Sequence, residues 1–203
     1  MPTLEVIPGL IVDDTMFELA AQAIQTHAPD LAPLTFSRFT SASDWWMIPD
    51  DDGNGYKAEL TLRNDRDKTI RINNWYLPDL RGGQESRPHS HPWPFTAMII
   101  SGGYTEDRYE VSPGQGIIIA GEPPVRAQLG VEHQVGGRNE VPRSVYHEVT
   151  EIFQPGNTLS LMICGRGERG QWGYLNTCNG RHTPTAPDPH FQAKLRQLNP
   201  HQY

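Results

Sequence analysis

The hydrophobic positions of the chain change period along its length, and the change predicts where helix gives way to strand. In residues 13–27, Phe17, Ala20 and Ile24 recur at three- and four-residue intervals behind Asp13 and Asp14, whose carboxylates can accept from the free amides of a helix start. This predicts one amphipathic helix. From Tyr56 the period drops to two: Tyr56, Ala58, Leu60 and Leu62 alternate with Lys57, Glu59, Thr61 and Arg63, the pattern of a strand with one buried and one wet face. A polar turn follows at residues 64–67, and residues 69–76 resume the alternation with Ile70 and Ile72 inward, so the two runs predict a β-hairpin.

Beyond the hairpin, short strand candidates fall at 86–93, 95–101, 104–111, 116–120, 125–134, 145–153 and 158–164. Turn signals separate them, among them Gly102-Gly103, Ser112-Pro113-Gly114, Glu122-Pro123-Pro124, Gly136-Gly137-Arg138-Asn139 and Gln154-Pro155-Gly156-Asn157. Strands at this spacing predict an all-β barrel or sandwich. Residues 183–189 read as proline-rich coil and 191–198 as a short closing helix. Nothing repeats at a fixed period, so one domain over 1–203 is expected. In it an N-terminal extension, 1–85, packs on or extends a barrel core, 86–175, and 176–203 form a tail. An exposed edge on the N-terminal hairpin would favour pairing of two copies, and a homodimer is expected on that ground.

Composition narrows the function classes. The 19 glycines and 18 prolines are scattered as turn punctuation, which argues against a helical bundle. A net charge of −7 and a pI of about 5.6 leave no broad basic surface for a phosphate backbone, so the expected partner is a small molecule and not nucleic acid. The longest apolar stretches, Ala97 to Ile100 and Ile117 to Ala120, fall far short of the roughly 20 residues that span a bilayer, so no membrane partner is expected. The opening Met-Pro-Thr-Leu-Glu-Val-Ile has no basic region followed by an apolar core, which points to a cytoplasmic protein. Cys164 and Cys178 have no Cys-x-x-Cys spacing and read as reduced thiols.

The chemistry concentrates in two segments. Arg87-Pro88-His89-Ser90-His91-Pro92-Trp93 places two histidines at i and i+2 in a stretch that its prolines keep extended, so both imidazoles face one way. Neutral imidazole nitrogens so arranged can share one first-row metal ion. Pro142-Arg143-Ser144-Val145-Tyr146-His147 offers a third nitrogen at the start of another strand. No Gly-x-x-x-x-Gly-Lys-[Ser/Thr] loop and no Gly-x-Ser-x-Gly elbow occurs, so P-loop nucleotide hydrolysis and α/β-hydrolase chemistry have no support.

Together these segments resemble the two motifs of the cupin superfamily. The first is His-x-His ahead of an apolar strand and a glycine turn, here Ile99-Ile100-Ser101-Gly102-Gly103. The second is Pro-x-Gly-x-x-His, here with Ser144 in the glycine place. The match runs over about residues 84 to 165. The run His-Ser-His-Pro-Trp-Pro-Phe followed by Ser-Gly-Gly-Tyr-Thr-Glu is also similar to a group of small cupin-like proteins. The resemblance implies an all-β, double-stranded β-helix (jelly-roll) barrel, with one divalent transition metal held by His89, His91 and His147. One departure stands out: the glutamate that many cupins carry after the second motif histidine is missing, and those positions are Phe95 and Thr96. Either the site is a three-histidine set, as in thiol dioxygenases, or the next strand supplies a carboxylate.

Glu106 is the candidate for the latter, since Tyr104, Glu106, Arg108 and Glu110 share a face of that strand. It can be a ligand, a general base or a solvated surface group. Substrate contacts are expected from Arg87, Arg166 and Arg169, whose guanidiniums suit carboxylate or phosphate, from Arg108, and from the aromatic residues Trp93, Tyr104 and Trp172. His133 is a candidate fourth imidazole whose position the sequence does not fix, and His27, His182, His190 and His201 read as surface residues. The function expected is an Fe(II) dioxygenase acting on a small polar or acidic molecule. The alternatives are a Zn, Mn or Ni isomerase, lyase or dehydratase, in which Glu106 would move a proton, and a non-catalytic ligand-binding cupin.

Overall fold

The computed structural model describes residues 3–80, 87–111, 125–168, 172–186 and 188–203. In chain order its elements are β1 (Leu4–Ile7), β2 (Leu10–Val12), α1 (Asp14–His27), α2 (Phe36–Phe39), β3 (Trp45–Pro49), β4 (Gly55–Asn64), β5 (Thr69–Trp75) and β6 (Phe95–Ser101). There follow β7 (Gly103–Val111), β8 (Val125–Gln134), β9 (Arg138–Val141), β10 (Val145–Ile152), β11 (Thr158–Cys164), β12 (Gly173–Asn176), β13 (Arg181–Pro184) and α3 (Phe191–Leu198). The strand candidates 95–101, 125–134 and 158–164 coincide with β6, β8 and β11, whereas 116–120 lies outside the described residues. Residues 183 and 184 belong to a strand, not to coil.

Two antiparallel sheets face each other, the double-sheet arrangement that the cupin resemblance implies. The larger runs β3-β4-β5-β11-β6-β9 and the smaller β10-β7-β8. Residues 88–90 extend the smaller one: His89 exchanges both backbone hydrogen bonds with His147, at 3.0 and 2.9 Å, and Ser90 N donates to Gly173 O at 2.9 Å. Over its described residues, 87–93, that segment makes only the isolated bridges of His89 to His147 and to Tyr174 and not the strand predicted, because prolines at 88, 92 and 94 remove the amides a ladder needs. The chain crosses between sheets at Gly102, whose φ of +63° favours glycine and where a Cβ would run into the Thr158 hydroxyl.

The large sheet has a core on each face. On the outside, Leu60, Ile70, Ile72, Leu159 and Leu161 pack with Met16, Ala20 and Ile24 of α1. Asp13 caps that helix, its Oδ1 accepting from Met16 N at 2.8 Å. On the inside, Trp75 and Ile99 meet Tyr104, Val149 and Ile152 of the small sheet.

This arrangement corrects the reading of the hairpin. Ala58, Leu60, Leu62, Ile70 and Ile72 do face a core, but it is the one beneath α1, whereas Tyr56 joins the interior cluster. Of the supposed wet face, Lys57, Glu59 and Thr61 line the barrel interior, and only Arg63, past a bulge, stays at the surface on Asp30 and Asp65. By register Lys57, Glu59 and Thr61 share a face with Trp75, Asn73 and Arg71, then with Thr158, Ser160 and Met162. Glu59 is 9% exposed and Asn73 0%. Nor does β4 form an edge, because β3 covers it. The tail then covers β3: Asn199 Oδ1 accepts from Met47 N at 2.6 Å, and its Nδ2 donates to Met47 O at 2.8 Å. The edge on which the expectation of pairing rested is therefore blunted by the chain itself.

Candidate metal centre

His89, His91 and His147 converge, their nearest ring nitrogens all lying within 4.8 Å of one another. Three local features bring this about. Extended backbone turns His89 and His91 to one side, the paired amides of His89 and His147 fix their register, and Phe95 stands edge-on to His91 at 5.0 Å. His89 and His147 are buried, and His91 is partly open.

The protonation pattern suits a cation. His147 Nδ1 lies 3.0 Å from Glu106 Oε2, and since an ionised carboxylate only accepts, Nδ1 carries the proton. The Nε2 lone pair of His147 then points at His91 Nε2, 3.0 Å away. Two imidazole nitrogens that close need a proton or a metal ion between them. The separation is also what two nitrogens have when they bind one ion at right angles with bonds of about 2.1 Å. The residues present therefore fit a divalent transition metal bound by three imidazoles, with the remaining coordination positions open.

Glu106 is 0% exposed, which removes the solvated-surface reading. Oε1 faces His133 Nε2 at 3.0 Å, and Oε2 accepts from Asn139 Nδ2 at 3.0 Å as well as from His147. Burial opposes its ionisation, but hydrogen bonds from His133 and His147 outweigh that and hold its carboxyl far below the usual carboxylate range. Asn139 also donates to Tyr104 Oη at 2.9 Å and accepts from Arg108 Nη1 at 3.2 Å. Carboxylates behind metal-bound histidines fix tautomer and ring orientation in this way. A second carboxylate, Asp79, stands with its Oδ2 3.7 Å from His89 Nε2.

The residues expected to contact substrate do not form one group. Tyr104 and Arg108 lie on the Nδ1 side of His147, within the network just described. Arg108 Nη2 is further committed to Glu140 O at 2.6 Å. Trp93 stands beside His91, ring centroids 6.1 Å apart. Trp93 and Trp172 together line a recess of about 470 Å³ with Pro92, Glu168 and Pro184. Arg87 is exposed and stacks on Tyr174 at 3.9 Å, while its backbone N–H reaches Glu148 Oε1. Arg166 is exposed and offers its carbonyl to Arg143 Nη2 at 2.6 Å. Arg169 lies outside the described residues.

The sequence reading missed Asn139 and Asp79 and left His133 unassigned. Asn139 hid in a stretch that reads as a Gly-Gly turn, and His133 could be placed only by its register opposite Tyr104. His182 and His201, read as surface residues, are partnered: His182 Nδ1 lies 2.9 Å from Tyr146 Oη, and His201 Nε2 lies 3.1 Å from Trp45 O.

No protein-family model and no curated protein sequence matches the chain. Among solved structures it is similar to an RmlC-like cupin protein from Ralstonia eutropha JMP134, with TM-score 0.40 and 13% identity over 77% of this chain and 80% of that one. It is similar to KdgF from Halomonas sp., with TM-score 0.36 and 10% identity over 56% of this chain and 83% of that one. A third is HEPD from Streptomyces albus with 2-hydroxyethylphosphonate and Fe(II) bound, with TM-score 0.39 and 13% identity over 76% of this chain and 29% of that one. Likeness of this degree assigns no activity, so the chemistry has to come from the side chains. Among the described residues, no helix is long and apolar enough to cross a membrane.

Proposed function

We propose that this cupin-type chain is a metal-dependent enzyme acting on a small polar or acidic molecule, and that its chemistry is Fe(II)-dependent dioxygenation at His89, His91 and His147. The observation that carries the reading is the pair of Nε2 atoms 3.0 Å apart, with Glu106 fixing the proton of His147 on the opposite nitrogen. A ferrous ion on such a set supplies one-electron chemistry to dioxygen and to a coordinated substrate.

Each neighbouring residue then has a task. Glu106 holds His147 in the tautomer that leaves Nε2 free to bind, and Asn139 and His133 hold Glu106. Phe95 and Trp93 wall the partly open His91 side and keep water from the reacting groups. Glu106 is also the carboxylate that proton-transfer chemistry would call upon. Its oxygens are committed to His133, His147 and Asn139, which favours the dioxygenase over the isomerase or lyase alternative.

The test is oxygen uptake by protein reconstituted with Fe(II) under anaerobic conditions and screened against small carboxylates and phosphonates. Uptake that needs both iron and one such compound, and that disappears in His91→Ala, is expected. Turnover of a compound by the zinc- or manganese-loaded protein without oxygen uptake would overturn the dioxygenase in favour of non-redox chemistry.

A further inference from the structure

The barrel interior holds a second group of charges, buried at Glu59 and half-buried at Lys57 and Arg71, that the metal chemistry does not use. Lys57 Nζ lies 2.9 Å from Glu59 Oε1, and Arg71 Nη1 lies 3.1 Å from Glu59 Oε2. Two cations thus share one carboxylate. Arg71 Nε is buried without a hydrogen-bond partner. Beside it Asn73 is 0% exposed, its Nδ2 meets only the Met162 sulfur at 3.6 Å, and its Oδ1 has no hydrogen-bond partner. Unsatisfied buried polar atoms are costly, so a group with both donors and acceptors idle in one wall suits a ligand.

The wall adjoins the histidines. Lys57 packs over the Trp75 ring, 5.1 Å from its centroid, and Trp75 stacks with Tyr104 of the small sheet. Asp79, 3.7 Å from His89, also acts on the charge of Lys57. Burial works against that charge, but Glu59, Tyr56 and Asp79 together outweigh it and keep Lys57 a cation.

Charge balance points the same way. Among the described residues, the charges enclosed between the sheets balance one to one, Lys57, Arg71 and Arg108 with Glu59, Asp79 and Glu106, and at the exposed end of the small sheet Glu110 stands opposite Arg126. A divalent ion on the imidazoles adds two positive charges that none of these offsets, and enclosed charge of that size calls for a counter-anion. Arg108 has separate partners in Asn139, Glu140 and Glu106, whereas Arg71 and Lys57 share the one carboxylate of Glu59 and have donors to spare.

We propose that Arg71, Lys57 and Asn73 form the acid-binding subsite of this enzyme, taking a small carboxylic acid that also bears an O–H or N–H donor. The carboxylate lies on Arg71 and Lys57, the donor on Asn73 Oδ1, and the other end of the molecule reaches the three histidines. The inference rests on the metal-site reading for the direction in which the acid points, and the two can fail separately.

Isothermal titration of malate, succinate and succinamide into zinc-loaded and metal-free protein tests it, with zinc content measured alongside. Malate is expected to bind more tightly than succinate, and succinamide not at all. Zinc should tighten malate binding at least tenfold. Arg71→Met should weaken malate at least tenfold with zinc content unchanged, and Glu59→Gln, which removes the internal competitor for both cations, should tighten it severalfold. Should Arg71→Met fail to fold, Glu59→Gln decides. Equal malate affinity in folded Arg71→Met and wild type, or in Glu59→Gln and wild type, overturns the subsite while leaving the metal centre standing. Wild-type protein that takes no zinc, yet binds malate in an Arg71-dependent way, overturns the metal reading and not the subsite.

Discussion

On the outer face of the six-stranded sheet, Ala58, Leu60, Ile70, Ile72, Leu159 and Leu161 meet an amphipathic helix, whereas the inner face of the same strands presents Lys57, Glu59, Arg71, Asn73 and Ser160 to the barrel. Both faces are covered by another layer, and on the inner one Glu59, Asn73 and Ser160 are buried while Lys57 and Arg71 are half-buried, so the difference is not simply one of solvent. The outer face is closed by packing alone, and its energy is spent on stability. The inner face holds polar atoms out of water, an arrangement that costs free energy unless partners or ligands satisfy it. A buried polar surface of this kind is therefore where function is sought, and Asp79, which acts on Lys57 and stands beside His89, ties it to the histidines.

If the two faces divide the labour in this way, substitutions should separate stability from metal binding. The largest effect is expected from Leu161→Ala on the outer face, fully buried among Ile70, Ile72 and the α1 residues. It should cost about 2–5 kcal/mol in urea unfolding and leave metal content unchanged. On the inner side Glu106→Gln should do the reverse. The amide still occupies the space but no longer fixes the His147 tautomer, so metal affinity should fall roughly 10- to 100-fold in competition with a chelator. A Glu106→Gln variant that bound metal as tightly as wild type would remove the reason for placing that carboxylate in the centre.

The depth to which the sequence could be read follows the same division. Alternation in residues 57–61 and 70–75 identified two faces correctly, because side-chain direction is a local property, while Tyr56 and Arg63 fall outside it, the latter past a bulge. What each face meets is not local. Lys57, Glu59 and Arg71 looked solvated, since nothing nearby in the chain showed that the opposite sheet would cover them. His89, His91 and His147 were legible because the prolines and the i, i+2 spacing act locally and both motifs stand in order. His133, Asn139 and Asp79 were not, because their positions depend on sheet register and on bridges between distant segments.

A smaller effect concerns acid stability. Burial raises the Glu59 carboxyl, but Lys57 and Arg71 more than offset this and hold it below its ordinary value. A carboxylate so lowered contributes stability that is complete above about pH 4.3 and is lost as pH falls through its folded value. Wild type should lose stability on acidification below that point. Glu59→Gln should show a shallower slope in the same urea titrations, and an unchanged slope would mean that Glu59 does not titrate with folding.

The smallest effect is one of reactivity. Cys164 lies on the inner face, where burial pushes its thiol up to about 11, while Cys178 is exposed. Labelling of native protein at pH 8 with a thiol reagent should modify one cysteine, Cys178, and the second only after unfolding. Rapid native labelling of both would show that the interior is open to reagent.

The metal, the tautomer of His147 and the direction of the bound acid all depend on the three-histidine centre. Metal content by inductively coupled plasma mass spectrometry, on untagged protein purified without chelators beside His147→Ala, tests it most directly. The expected result is close to one divalent transition metal ion per chain in wild type, lost in a variant whose circular dichroism is unchanged. No metal in wild type even after reconstitution, or equal metal in the variant, would contradict it.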